Sequence, residues 1–280
     1  SDVDDSSSGK RKMVLFSYTD KGTSKRQQDL GIDDILGRWT ASMFSANDLM
    51  IVGFLGTNPK QWKVDLFSIK MNLTSDSSPE LVRYPVSNEY VWSVENMFHQ
   101  GVISEGGDVE KPNGLFDYHI FPVQVFDDGT YTILFEFSDS VFKTVSTGSG
   151  TTKVSYDRGQ DAIAFHFDNT GKALWQNKVD RQFVNIERKF TSLVVNRCGN
   201  DIVIVYNTTD PDAPKKQDTS VSVAVISKDG TIKEDILESG EENELMVLNS
   251  EVSKSMSGCE SVLILQRRRD YHIGFLEKTK

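Results

Sequence analysis

Residues 161–167 of this chain admit few folds. At the period of two that a strand imposes, Ile163, Phe165 and Phe167 share one face, and Ala162, Ala164 and His166 share the other. A strand apolar on both faces needs a covering layer on each side, and the alanines let one layer approach closely. Upstream, residues 130–137 place Tyr131, Ile133, Phe135 and Phe137 on one face after the turn Asp127-Asp128-Gly129. Downstream come the turn Asp168-Asn169-Thr170-Gly171, then Lys172-Ala173-Leu174-Trp175, closing at Lys178-Val179-Asp180. Residues 118–180 thus read as one complete sheet module.

Partial copies recur along the chain. A turn followed by an apolar strand appears at Asn47-Asp48-Leu49, Asp128-Gly129-Thr130 and Asn200-Asp201-Ile202. A strand, an Asp/Lys-x-Gly turn and a return strand appear at 17–30, 165–179 and 226–237. Units of about 40–50 residues with short strands point to the blades of a β-propeller, because one blade cannot bury both its faces alone. The fold expected is all-β, a propeller with few blades; a multi-sheet β-sandwich is the alternative. The first strands are expected to complete the blade begun by the last, closing a single domain over 13–280. Residues 1–12, rich in Asp and Ser and then basic, are expected to be a disordered lead-in. Residues 32–39 are ambiguous: Asp33 is placed to cap one helical turn, against which Gly37 counts, and 92–100 fit either extended chain or a short helix.

The run Phe126-Asp127-Asp128-Gly129-Thr130-Tyr131-Thr132-Ile133-Leu134-Phe135-Glu136 precedes a long polar excursion. Then come Gln160-Asp161-Ala162-Ile163, the turn ending at Gly171, Trp175 and Val179-Asp180-Arg181-Gln182. Together they resemble a family of uncharacterised bacterial proteins, found mainly in Bacteroidetes and typically exported. Asp180-Arg181 stands where that family usually carries Pro-Lys. The resemblance covers about residues 118–207. It implies a propeller-like fold and a periplasmic, cell-surface or secreted location, and it carries no activity.

A net charge of −10 disfavours nucleic acid, whose phosphates need a basic surface. No stretch reaches the roughly 18 apolar residues of a membrane span. The chain begins at Ser1 without a methionine, as a trimmed form would. Cys198 and Cys259 are too few for a disulfide scaffold, and two free, semi-buried thiols are expected.

Glycoside hydrolysis uses two carboxylates about 5–10 Å apart. Asp48, Asp117, Glu136, Asp161 and Asp201 lie at strand edges or in apolar surroundings, although Asp at a strand start is ordinarily turn chemistry. His99, His119, His166 and His272 lack zinc-ligand spacing, and His166 reads as a hydrogen-bonded core residue. No nucleophile elbow, P-loop or dinucleotide fingerprint occurs, and no cofactor or metal is expected. Asn72-Leu73-Thr74 and Asn207-Thr208-Thr209 match the glycosylation triplet. Residues 141–160 read as a hairpin extending past its blade, where Phe142 and Tyr156 are placed to stack on a glycan or peptide. The expected function is a non-enzymatic binding or scaffold module with a protein or glycan ligand. The alternative is a propeller-type glycan hydrolase.

Overall fold

The computed structural model describes residues 2–5, 10–18, 24–57, 64–75, 79–86, 118–147, 150–181, 183–185, 190–209, 219–240, 247–255, 259–267 and 270–277. Every element of sheet or helix among them is a strand. The first sheet contains β1 (Asp2–Asp5), β2 (Lys10–Tyr18) and β3 (Ser24–Asp29). The second contains β4 (Ile35–Met43), β5 (Asp48–Gly56), β6 (Asp65–Asn72) and β7 (Glu80–Pro85) in chain order. The third is built from β8 (Tyr118–Ile120), β9 (Gln124–Val125), β10 (Tyr131–Thr147), β11 (Gly150–Phe167), β12 (Ala173–Val179) and β13 (Phe183–Asn185), in the order β12-β11-β10-β8. The fourth runs β14 (Val194–Cys198), β15 (Asp201–Thr209), β16 (Thr219–Ile226) and β17 (Ile232–Gly240). The fifth centres on β20 (Glu260–Arg267), with β18 (Val247–Leu248) and β19 (Lys254–Ser255) along one side and β21 (Asp270–Glu277) along the other.

Side-chain alternation stacks these sheets in chain order. Odd positions of β5 and β6 (Ile51, Leu55, Phe67, Ile69) face Met13 of the first sheet. Even positions (Met50, Val52, Phe54, Leu66) face Tyr131, Ile133, Phe135, Ile163, Phe165 and Phe167 of the third. Leu134, Ala162 and Ala164 on the third sheet's other face meet Ile202, Ile204, Ala224 and Ile226 of the fourth. Val203, Val205, Val221 and Val223 meet Leu248 and Leu263 of the fifth. Sheets that each bury one face on the sheet before and the other on the sheet after are the blades of a β-propeller; a two-layer sandwich has no such series of seams. The two-faced strand expected at 161–167 is therefore real, and so are its two covering layers.

Aromatic rings fill the seam between the second and third sheets. Phe54 meets Phe135 edge-on at 4.9 Å and packs on Tyr118 at 4.9 Å, while Tyr84 lies 4.5 Å from Phe167. Fewer rings fill the seam between the third and fourth sheets, and the turns beside it interlock. Three turns share one hydrogen-bond pattern, spanning residues 126–130, 168–172 and 227–231. Each is closed between residues one and five, with a left-handed glycine fourth (Gly129, Gly171, Gly230) that a β-carbon would strain. In the last turn the Lys228 carbonyl accepts from Trp175 Nε1 at 2.9 Å, the Gly230 carbonyl accepts from Asn177, and Lys228 Nζ pairs with Asp128.

Several expectations change in detail. Residues 35–39 are strand, and a bulge puts Gly37 and Arg38 opposite Phe54, which explains the broken alternation that admitted a helical turn. Residues 2–5 and 10–12, inside the expected lead-in, are paired as strands, with Asp4 in register with Arg11 and Asp5 with Lys10. The first strands form their own sheet, and among the described residues β21 pairs with β20 alone rather than with the N-terminal strands. The excursion at 141–160 is a continuous antiparallel ribbon from Ser138–Gly159 to Thr147–Gly150, as expected. Residues 92–100 lie outside the described residues. No helix among the described residues is long and apolar enough to cross a membrane.

The cysteines correct the expectation of free thiols. Cys198 ends β14 and Cys259 precedes β20, and the seam brings their Cα atoms to 4.4 Å in a disulfide. A sequence separation of 61 hides this proximity, which exists only once the fourth and fifth sheets stack. A loop of that length predicts about 4 kcal/mol from restriction of the unfolded chain. Replacing both cysteines with serine is expected to lower unfolding free energy by about that amount in urea. Reductant should lower the parent protein's stability by a similar amount and leave the double variant unchanged.

Candidate functional site

Two pairs of edge strands from neighbouring sheets approach each other. β4 lies against β8, and β14 lies against β19. These strands form the inner, axial edges of the blades. A cavity of about 280 Å³ opens there, lined by His119 and Phe121 of the third sheet, Ser192 and Leu193 entering the fourth, and Ser250 and Glu251 of the fifth. Three successive blades therefore contribute to one axial pocket.

Its walls are held by buried polar groups. The Asn207 side chain on β15 donates to the carbonyls of Phe190 (2.8 Å) and Leu248 (2.9 Å) and accepts from the Leu248 N–H (2.8 Å). It thereby ties the segment leading to Ser192 to the strand leading to Ser250. At 1% exposure its amide is inaccessible, so the second glycosylation triplet is a structural clamp. The turn carrying Ser250 and Glu251 is pinned by Ser253, whose hydroxyl donates to the Asn249 carbonyl (2.7 Å) and accepts from the Ile264 N–H (2.8 Å). Asn72 of the first triplet is likewise engaged, donating to Asp48 at 2.8 Å and accepting from Thr74.

Behind Ser192 lies a buried ion pair. Ser192 Oγ donates to Glu136 Oε1 at 3.0 Å, and Glu136 Oε2 lies 3.4 Å from Arg181 Nη1; both charged side chains are almost wholly buried. Burial pulls the Arg181 pKa down, and the Glu136 charge opposes that pull. Arg181 also donates to the Thr191 carbonyl, and its backbone N–H donates to Asp161 Oδ1 at 3.1 Å. A bulge makes this gathering possible: Phe137 on β10 stands opposite both Gln160 and Asp161 on β11. Gly159 supplies the space, since a β-carbon there would strike the Arg181 guanidinium and the Thr191 carbonyl.

Of the four described carboxylates among those singled out from sequence, Glu136 alone adjoins the pocket, and it is engaged by Arg181 and Ser192. Asp48 accepts from Ser45 (2.7 Å) and Asn72 and shapes a turn, with its pKa lowered chiefly by the Ser45 hydrogen bond. Asp161 is buried, and desolvation raises its pKa against the pull of the Arg181 N–H and Lys178. Asp201 opens β15 opposite Cys198. Asp117 and His99 lie outside the described residues. His166 is the expected core residue: its Nδ1 meets Thr132 Oγ1 at 2.9 Å, and its ring stacks on Trp175 at 5.0 Å. His272 is exposed on β21. Phe142 is opposite Ser155, and Tyr156 is opposite Val141, so the two are not direct partners; their side chains lie outside the described residues. Among the described residues no three His, Cys, Asp or Glu side chains gather as metal ligands.

Sequence reasoning missed Arg181, Ser192, Asn207 and Glu251. One signal for Arg181 was available. Glu136 interrupts the apolar run 131–137, and a carboxylate in a buried strand requires a partner.

No protein-family model matches the chain, and no curated protein matches it. Among solved structures it is similar to a GH43 endo-arabinanase from Bacillus licheniformis, at 10% identity over 86% of this chain and 92% of that one, with a TM-score of 0.25. A likeness at that level has no bearing on activity, and the propeller fold rests on the order and stacking of the sheets.

Two measurements test the packing behind the pocket. Gly159→Ala should displace Arg181 and cost roughly 3 kcal/mol in urea unfolding, since a strained core is joined to a broken buried ion pair. His166 has its pKa lowered by burial, with Lys228 adding to the shift and Asp128 opposing it. The unfolded chain therefore takes up this proton first. Its contribution makes stability fall as pH drops below about 6.5, until the folded ring also titrates. His166→Gln should lower stability at pH 7, and its deficit relative to the parent should narrow between pH 7 and pH 5.

Proposed function

We propose that this chain is a non-enzymatic binding or scaffold module of an exported protein, with the axial pocket as its recognition site. One observation carries the reading. The carboxylate nearest the pocket floor, Glu136, is held by Arg181 and bonded to Ser192. It is therefore placed to orient a hydroxyl rather than to take up and release a proton. A glycosidase needs a second working carboxylate about 5–10 Å from the first. Among the described lining residues, Glu251 alone carries a carboxylate. The disulfide between Cys198 and Cys259 supports an exported location, because such bonds persist in oxidising compartments. The ribbon bearing Phe142 and Tyr156 is a second surface on which a protein or glycan partner could rest.

The test pairs binding with turnover. A ligand of one class, short peptides or oligosaccharides, should raise the melting temperature of the parent protein, and Ser192→Ala or Glu251→Gln should diminish that rise. Chromogenic glycosides should remain uncleaved. Cleavage abolished by Glu251→Gln would replace this reading with the hydrolase.

A further inference from the structure

We infer that the axial pocket, taken as the binding site proposed above, accepts a primary ammonium on a short apolar stem, as at the end of a lysine side chain of a partner polypeptide. The reasoning starts from proton positions. A guanidinium does not lose its proton in a protein, so the Glu136 side chain beside Arg181 acts as an acceptor. Ser192 has one hydroxyl proton, and its hydrogen bond directs that proton to Glu136. Towards the pocket, Ser192 Oγ then presents lone pairs alone. Glu251, exposed on its pinned turn, is acceptor-only as a carboxylate. A ligand that meets both must donate hydrogen bonds, and a positive charge adds attraction to Glu251.

The remaining lining agrees. Phe121 and Leu193 supply an apolar wall for methylene groups, and His119 braces Phe121 edge-on at 4.8 Å. Among the described lining residues none is a lysine or an arginine. At about 280 Å³ it is just below the roughly 300–1,000 Å³ of ordinary ligand pockets, which suits one side chain better than an oligosaccharide. The chain's net charge of −10 favours approach of a cation. A carboxylate ligand would face Glu251 directly. A sugar hydroxyl has one proton and can donate to only one of the two acceptors, whereas an ammonium has three protons to share between Ser192 and Glu251.

The experiment titrates the intact chain with Nα-acetyl-lysine methylamide, its Nε-acetylated counterpart and neutral monosaccharides, read by NMR shifts and calorimetry. The lysine probe should bind. Acetylation of its amine and Glu251→Gln should each weaken binding about tenfold, and added salt should weaken it further. Glu251 is exposed, so an unchanged melting temperature will confirm that the Gln variant is folded. Equal or tighter binding of a neutral sugar, weakened by Ser192→Ala, would overturn the cation inference and leave the binding reading intact. No perturbation of pocket residues by any probe would overturn both.

Discussion

Burial of both faces of the β10–β11 pair is the constraint on which the other sheets depend. The two faces are unlike. Phenylalanine and tyrosine fill a thick seam against the second sheet, where ring pairs add geometric preference to apolar burial. Alanines face the fourth sheet, packed with Leu134 against Ile202, Ile204, Ala224 and Ile226. Trp175 and Asn177 interlock with the Lys228–Gly230 turn across that seam. A larger residue at Ala162 or Ala164 would separate the turns before it disrupted either strand.

The seams also shape the polar interior. Near the axis, where the blades' inner edges meet, the third and fourth sheets enclose Glu136 and Arg181. Removing two ions from water costs several kcal/mol each, and their attraction seldom returns a large surplus. The pair therefore adds little net stability and instead fixes geometry. One register, set by the bulge at Gln160-Asp161 and opened by Gly159, lets the guanidinium reach the Thr191 carbonyl and the carboxylate reach Ser192. A slipped ladder would leave a buried charge without its partner, a far larger penalty.

Most strands were legible because alternation is a local property. The faces of 130–137 and 161–167, the continuous run 202–206 and the Asp-Gly turns all stand in the structure where the residues place them. Properties that depend on neighbouring sheets were not. Cys198 and Cys259 look like separate thiols until two blades stack. Asn207 sits in a triplet that suggests a surface sugar, yet it clamps three backbone groups in the interior. Arg181 follows an exposed aspartate in a segment that reads as strand end, and nothing local marks it as buried. The acidic residues singled out for chemistry were those at strand edges or in apolar surroundings. That criterion found Glu136 but missed Glu251, which belongs to a polar turn.

The pocket and the seams have a common origin. Its floor, Ser192, is oriented by an ion pair that closes the seam between the third and fourth sheets. Its rim, Glu251, rides on a turn fastened to the fifth sheet, and the Cys198–Cys259 bridge joins that sheet to the fourth. Asn207 connects floor to rim. A ligand held at both ends would therefore contact two blades across a seam. Opening of that seam would cost the ligand its contacts, so occupancy must favour the closed arrangement. The buried amide and the disulfide already resist opening in the free chain. The pocket is thus largely preformed, and less of the binding energy is diverted to ordering it.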